Sequence, residues 1–295
     1  MMAVATTKIK SFPMIGRGKV RDIYDLNQHL LIVATDRISA FDVVFDQPVP
    51  DKGRVLTGLS VYWFHQTADR FPNHLITDNI DEVPGLTGDE RETLRGRSML
   101  VKKGEVVPIE CVVRGYLAGS GLKDYQKTGM VSGIKLPSGL VESSKLPEPI
   151  FTPTTKESAG HDQPLTYEEL VAKVGAELAN QLKEYSLNLY QTAAKHAETS
   201  GIIIADTKFE FAFVDGVLTV VDEIFTPDSS RFWPLEQYQA GQPQPSFDKQ
   251  YVRDYLETLD WNKQPPAPVL PETIIEKTRE KYLEAYRQIV GKSLL

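Results

Sequence analysis

The chain has 295 residues, with 33 Lys+Arg against 40 Asp+Glu, a formal net charge of −7, 41% hydrophobic and 25% charged residues. These proportions belong to a globular protein that can bury a sizeable core, and the length suits one large or two modest domains. They exclude long disorder and a nucleic-acid-coating role, which needs a net basic surface, while a local basic pocket for a phosphorylated small molecule stays open.

In chain order, Lys19–Leu26 and Leu30–Thr35 are β-prone runs separated by Asn27-Gln28-His29, which predicts a hairpin. Leu59, Trp63 and Gln66-Thr67 stand at helical spacing and predict a helix over Leu56–Arg70. Arg97–Lys103 and Val106–Val113 read as strands around Gly104-Glu105, where we place a boundary between domains 1–104 and 105–295. Five prolines between Pro137 and Pro164 predict a loop-rich stretch. Thr166-Tyr167-Glu168-Glu169 has capping-box spacing and opens a helix over Leu165–Val174. The strongest helix is Ala176–Thr199, with Leu178, Leu182, Tyr185 and Leu189 as its buried stripe and Gly201 as its stop. Strands Ile202–Phe213 and Val217–Ile224 flank Asp215-Gly216. After a proline-rich loop, Pro234–Pro245, helices are expected near Asp248–Thr258 and Glu272–Val290. Strands come first and no regular βαβ alternation follows, so the expected fold is α+β with antiparallel sheets rather than a doubly wound parallel sheet.

A single cysteine, Cys111, excludes an internal disulfide and a cysteine-cluster metal site, and suits a reducing compartment. The N-terminus lacks a basic start followed by an apolar run, and no stretch approaches ~18 uninterrupted apolar residues. The expectation is a soluble, intracellular, cytoplasmic protein with no membrane or nucleic-acid partner.

Strand Ile202–Phe213 carries the most information. Side chains alternate faces, so Phe209, Phe211 and Phe213 are expected to share one face with Ile203 and Ala205, and Asp206, Lys208 and Glu210 the other. A row of alternating charges spaced ~6.6 Å fits either a solvated face or the wall of a cleft. The very apolar start of the strand suggests a central position and a cleft. The next strand ends in the acidic, hydroxyl-rich segment Asp222–Trp233. Glu210 and Asp222 are the natural pair for Mg²⁺, a hard cation that takes carboxylate and phosphate oxygens. A two-residue turn at Asp215-Gly216 would set Glu210 opposite Val221. One extra residue, allowed by Gly216, would set it opposite Asp222, and we expect that bulged register.

Gly16-Arg17-Gly18-Lys19-Val20-Arg21-Asp22 has two glycines that let backbone approach an anion and a lysine within reach of phosphate, though a plain basic turn has the same composition. It is neither the phosphate loop nor the dinucleotide fingerprint. Ala34–Asp42 sets Asp36, Arg37 and Ser39 at a strand end, as a polar-ligand site or an ordinary capped turn. Pro108–Gly121 runs a buried strand into a glycine-rich turn and a helix. Ser120 at the helix start suits an anion, and Arg114 suits an anion or a structural ion pair. Thr154–Asp162 is a polar loop in which His161 is an acid–base candidate.

Five segments in order, GRGKVRD, ATDRISAFD, PIECVVRGYLAGSG, DTKFEFAF and DEIFTPDSSRFWP, resemble the SAICAR synthetase family of purine biosynthesis in its longer form. The resemblance implies two α+β lobes with antiparallel sheets, flanking helices and an ATP-binding cleft between them, related to kinase-like and ATP-grasp-like nucleotide binders. It implies ATP-dependent joining of L-aspartate to CAIR, 5-amino-1-(5-phosphoribosyl)imidazole-4-carboxylate, through an acyl phosphate. ATP and Mg²⁺ are the implied cofactors, and CAIR and L-aspartate the substrates. Gly16, Gly18, Lys19, Arg21 and Glu110 would hold ATP, and Glu210 and Asp222 its metal ion. Lys208, Lys19 and Asp206 would serve catalysis. Arg114, Ser120, Asp228 and Arg231 match CAIR positions, and Asp36, Ser39 and Asp162 lie in bordering segments. Segment Leu235–Leu295 matches no functional motif. An ATP-dependent small-molecule kinase or a non-catalytic nucleotide-binding module would share the glycine loop and the carboxylate pair.

Overall fold

The computed structural model describes residues 3–156 and 162–294. The chain opens with strands β1 (Met14–Arg17), β2 (Arg21–Leu26) and β3 (His29–Ala34), then a short hairpin of β4 (Ser39–Ala40) and β5 (Val43–Val44). Helix α1 (Lys52–Thr67), β6 (Leu75–Thr77), α2 (Gly88–Leu94) and β7 (Ser98–Lys102) follow. Next come β8 (Glu105–Val106), β9 (Ile109–Tyr116), α3 (Gly119–Thr128), the pair β10 (Met130–Val131) and β11 (Ile134–Lys135), β12 (Lys145–Phe151) and β13 (Thr154–Thr155). The remainder is α4 (Tyr167–Val174), α5 (Ala176–Thr199), β14 (Ile202–Val214), β15 (Val217–Val221), β16 (Ser230–Pro234), α6 (Gln250–Glu257) and α7 (Glu272–Val290).

Two main sheets result, and every ladder between named strands is antiparallel, giving the expected α+β class. The first runs β1-β2-β3-β7-β6. The second is built on β14, which pairs with β9, β15, β16 and β8, with β12 and β13 against β9. Among the described residues no helix is long and apolar enough to cross a membrane.

Local chemistry explains the elements. Helix α5 has the expected limits and buries Leu182, Leu189, Ala193 and Ala197 against the second sheet. The Thr166–Glu169 capping box forms at α4. Helix α1 begins one turn before the sequence expectation, because tertiary partners hold its start: Arg279 of α7 donates to Asp51, and Lys52 to Asp228. α1 and α7 pack so closely that a Cβ on Gly58 would lie 2.7 Å from the Tyr286 ring. Ile38, Phe45 and Val49 pack with Val252, Leu256 and Leu270, so the C-terminal segment also covers the start of the chain.

Three expectations are corrected. Hairpin β14–β15 closes with a two-residue turn at Asp215 (φ 51°) and Gly216 (φ 79°), both left-handed, as a type I′ turn requires. Glu210 therefore faces Val221 and no bulge forms there. A bulge lies instead at the other end of β14, where Ile204 pairs with Phe232 and Asp206 with Arg231, leaving Ala205 as the extra residue. It reverses the alternation: Ile204 joins Phe209 and Phe211 in the main core, while Ile203 and Ala205 pack with Tyr116 and Trp233. Finally, part of the proline-rich stretch is strand β12. It is an edge strand with an interrupted register, where prolines cost least.

Candidate active site

A cavity of about 940 Å³ opens between the two sheets, its floor formed by β14 and β9. Its walls are the β1–β2 turn, the β4–β5 hairpin, the start of α3, the loop before β16, and α6. Eight Lys and Arg side chains line it among seven Asp and Glu, so in a chain whose net charge is −7 this is a place where cations are gathered within reach of an anionic ligand. An adjoining cavity of about 210 Å³ lies over Arg114, Ser120, Asp206 and Arg231. A larger groove, about 1060 Å³, runs between α5 and the β14–β15 turn, but Arg70 is its one cation among the described residues, beside Glu177 and Glu184. It has no means of receiving a polyanion.

The floor is a lattice of charges set by strand register. Asp206 pairs with Arg114 on β9 and with Arg231 on β16, on opposite sides of β14. Arg114 Nη1 lies 3.2 Å from Asp206 Oδ2, and Arg231 Nη1 contacts the same oxygen. Arg114 also donates to Ser120 Oγ and Thr152 Oγ1, both at 3.1 Å. Gly119 has φ 56°, and a Cβ there would sit 2.2 Å from Arg231 Nη2, so this glycine admits the guanidinium.

Two residues along β14, Lys208 Nζ lies 2.5 Å from Glu110 Oε1 and 3.1 Å from Glu210 Oε1, and Lys156 contacts the other Glu210 oxygen. Burial disfavours the Lys208 charge, but Glu210 and Glu110 outweigh it and hold the ammonium above the ordinary lysine range.

Asp222 lies one residue beyond β15 with a left-handed φ of 67°. It accepts from Arg21 Nη2 at 2.8 Å, and Glu223 accepts from Arg21 Nη1 at 3.1 Å, which ties the β1–β2 turn to the long hairpin. Leaving the strand brings Asp222 within electrostatic reach of Glu210 and Lys208 despite the unexpected register. Burial raises the Asp222 carboxyl to about 7; Arg21 opposes this, and Glu210 and Glu223 reinforce it. Burial also acts on Glu210, but Lys208 and Lys156 hold it at about 2. Glu210 and Asp222 offer the carboxylate oxygens that a hard divalent cation takes, with Lys208, Lys156 and Arg21 as their present partners, so the donor chemistry fits Mg²⁺.

The β1–β2 turn is fixed from below. Gly18 N–H donates to the Arg21 carbonyl at 2.8 Å. The buried Arg37 donates to the carbonyls of Lys19 (3.0 Å), Gly18 (3.0 Å) and Arg21 (3.3 Å). Lys19 contacts Asp42 of the β4–β5 hairpin at the mouth of the cavity.

The structure thus brings together Gly18, Lys19, Arg21, Ser39, Glu110, Ser120, Asp162, Lys208, Glu210, Asp228 and Arg231 around the larger cavity, with Arg114 and Asp206 in the adjoining one. It leaves three candidates out of the cavity walls: Asp222, which lines neither cavity and is bound to Arg21, and two that are further removed. Gly16 sits within β1, paired with Ile23. Asp36 is fully buried and used up: it accepts from Val4 N (2.6 Å), Gly53 N (2.9 Å) and Arg97 Nη1 (3.0 Å). His161 lies outside the described residues. Sequence reasoning missed Lys123, Lys156, Lys249 and Arg253, all of which line the larger cavity. Arg253 of α6 and Lys249 at its N-cap stand four residues apart, on an amphipathic helix whose apolar Val252 and Leu256 are buried. That spacing was the available signal.

The chain is similar to known proteins over nearly its whole length. The model of the SAICAR synthetase family matches residues 14–268. A protein of Thermodesulfovibrio yellowstonii named phosphoribosylaminoimidazole-succinocarboxamide synthase is 57% identical over 284 residues, covering 96% of this chain and 97% of that protein. One of the same name from Geobacter sulfurreducens is 54% identical over 290 residues, 98% of each. Among solved structures, the SAICAR synthase from Saccharomyces cerevisiae complexed with SAICAR superposes with a TM-score of 0.89 at 40% identity, over 99% of both chains. The chain therefore belongs to the SAICAR synthetase family.

Proposed function

We propose that this cleft joins L-aspartate to the carboxylate of CAIR at the expense of ATP, giving SAICAR, ADP and phosphate, a step of purine biosynthesis. A carboxylate is a poor acyl donor because oxide is a poor leaving group, and phosphorylation makes it attackable by the aspartate amine. Phosphoryl transfer demands positioning and charge neutralisation more than covalent help. Gly18, Lys19 and Arg21 serve the ATP phosphates, and Glu110 its ribose. Glu210 and Asp222 would hold Mg²⁺, which when bound supplies charge neutralisation at the phosphate oxygens. Lys208, kept charged between Glu110 and Glu210, stands beside that pair and stabilises the transferring group. Arg114, Ser120 and Arg231 offer forked and hydroxyl donors to the anionic ribonucleotide, oriented by Asp206. Ser39 and Asp162 border the space left for aspartate. The two sheets, divided after Gly104, act as the two lobes.

One observation carries the reading: a single cleft sets Glu110 and Glu210 about Lys208 at one end, with Arg21 of its wall bound to Asp222, and the Arg114–Asp206–Arg231 array at the other. The test is ADP release with CAIR present, with and without aspartate. A ligase requires both acceptor substrates for net turnover. Release that ignores aspartate, with a stable phosphorylated product, would make the protein a small-molecule kinase. Binding of Mg-ATP without turnover would make it a nucleotide-binding module.

A further inference from the structure

Asp228 belongs to the turn before β16, where its backbone N–H donates to Thr226 Oγ1 at 3.2 Å. Its buried carboxylate accepts from three donors: Lys52 Nζ at 2.7 Å, Tyr282 OH at 2.7 Å and Lys249 Nζ at 3.3 Å. A carboxylate offers about four lone-pair sites. Asp228 therefore borders both cavities yet has little acceptor capacity left for a ligand.

The three donors differ in where they face. Lys52 has no exposed side-chain surface, and its ammonium lies 5.7 Å over the Tyr282 ring. Tyr282 is fully buried in α7. One turn earlier on that helix, Arg279 donates to Asp51 at 2.9 and 2.6 Å, next to Lys52. α7 thus grips the first turn of α1 and the loop before β16 together. Lys249 is the donor that borders both cavities, and its contact with Asp228 is the longest. With Lys52 sealed inside, Lys249 is the ammonium on Asp228 that a ligand in either cavity can reach. Arg114, Ser120, Arg231 and Arg253 border the same small cavity, whereas Gly18, Lys19, Glu110 and Glu210 border only the larger one.

We propose that Tyr282 is a positioning residue for the ribonucleotide end of the cleft: with Lys52 it fixes Asp228 so that Lys249 is presented, beside Arg231, to an organic phosphate. The C-terminal helix is then part of the substrate site without touching substrate. The inference rests on the proposed reading of the cleft.

The test is steady-state kinetics of Tyr282→Phe, which deletes one hydroxyl and keeps the ring, with Tyr286→Phe as the matching deletion one turn further along α7. Tyr282→Phe is expected to raise KM for CAIR by about tenfold, the order for one hydrogen bond to a charged group, with KM for ATP within about twofold of wild type. Tyr286→Phe should move neither. Unchanged KM for CAIR in Tyr282→Phe, or equal rises in both KM values with a lowered melting temperature, would overturn the positioning role. The wild type separates the two claims: if it fails to join aspartate to CAIR, the reading of the cleft fails; if it succeeds and Tyr282→Phe behaves like wild type, only this inference fails.

Discussion

Arg114 and Arg231 donate to one and the same oxygen, Oδ2 of Asp206, from strands on opposite sides of it. The bulge at Ala205 produces this convergence, because it sets Asp206 level with both arginines. Sharing one oxygen leaves each guanidinium with unused donors toward the small cavity. Arg231→Ala should therefore raise KM for CAIR by about tenfold or more while leaving KM for ATP nearly unchanged. The reverse pattern in initial-rate measurements would move Arg231 to the nucleotide.

Glu210 and Asp222 give the second prediction. Glu210→Gln or Asp222→Asn should lower turnover by about 10²–10³-fold, as expected when a group that neutralises transition-state charge is lost, and saturating Mg²⁺ should not restore it. The fold should survive Asp222→Asn, whose carboxyl resists ionisation, and Glu210→Gln should stay folded with some loss of stability because Lys208 and Lys156 lose a paired carboxylate. Circular dichroism checks the fold and a Mg²⁺ titration of ADP release checks the role. Full turnover at saturating Mg²⁺ would remove both residues from metal binding.

The register of that pair shows what was legible in the sequence. Periodicity revealed α5 and α7 to the residue, and capping chemistry revealed the start of α4, because these signals are local. Alternation placed Lys208 and Glu210 on one face correctly. It failed at Ala205 and Asp222, where a bulge and a left-handed residue break the period of two. Neither has a distinctive residue type: Asp215-Gly216 looked the better bulge site, yet it is the pair that best closes a tight hairpin. Asp36 lay in the right segment, but only three-dimensional neighbours reveal that Val4, Gly53 and Arg97 consume its carboxylate. For Lys249 and Arg253 the helical spacing showed a polar face but not what it faces, since α6 reaches the cleft only through packing of the C-terminal segment against Ile38 and Phe45.

The Lys52–Asp228 pair is buried, so it should behave unlike a surface ion pair. Asp228→Asn leaves the Lys52 ammonium without its main counter-charge inside the protein and should cost about 3–5 kcal/mol of stability. Adding Lys52→Met should return most of that loss, because the stranded charge is then gone. Urea unfolding of the two single variants and the double variant measures the coupling. Strictly additive losses would mean that the two groups do not depend on each other.

Glu90 supplies a stability prediction away from the cleft. Its carboxylate accepts from Thr87 N (2.8 Å), Lys10 N (2.7 Å), Ser11 N (3.2 Å) and Ser11 Oγ (2.7 Å), so it caps α2 and pins the N-terminal segment at once. Burial alone would raise its pKa, but these donors outweigh it and hold the carboxyl at about 2, below its ordinary 4.5. A folded-state value below the unfolded one means the contribution is present above about 4.5 and is lost as pH falls toward 2. Glu90→Gln keeps the shape but not the charge, so its melting temperature should lie below wild type at pH 7, with the gap closing as pH drops through that window. A gap that stays constant from pH 7 to pH 3 would show that the hydrogen bonds to Glu90 owe nothing to its ionisation.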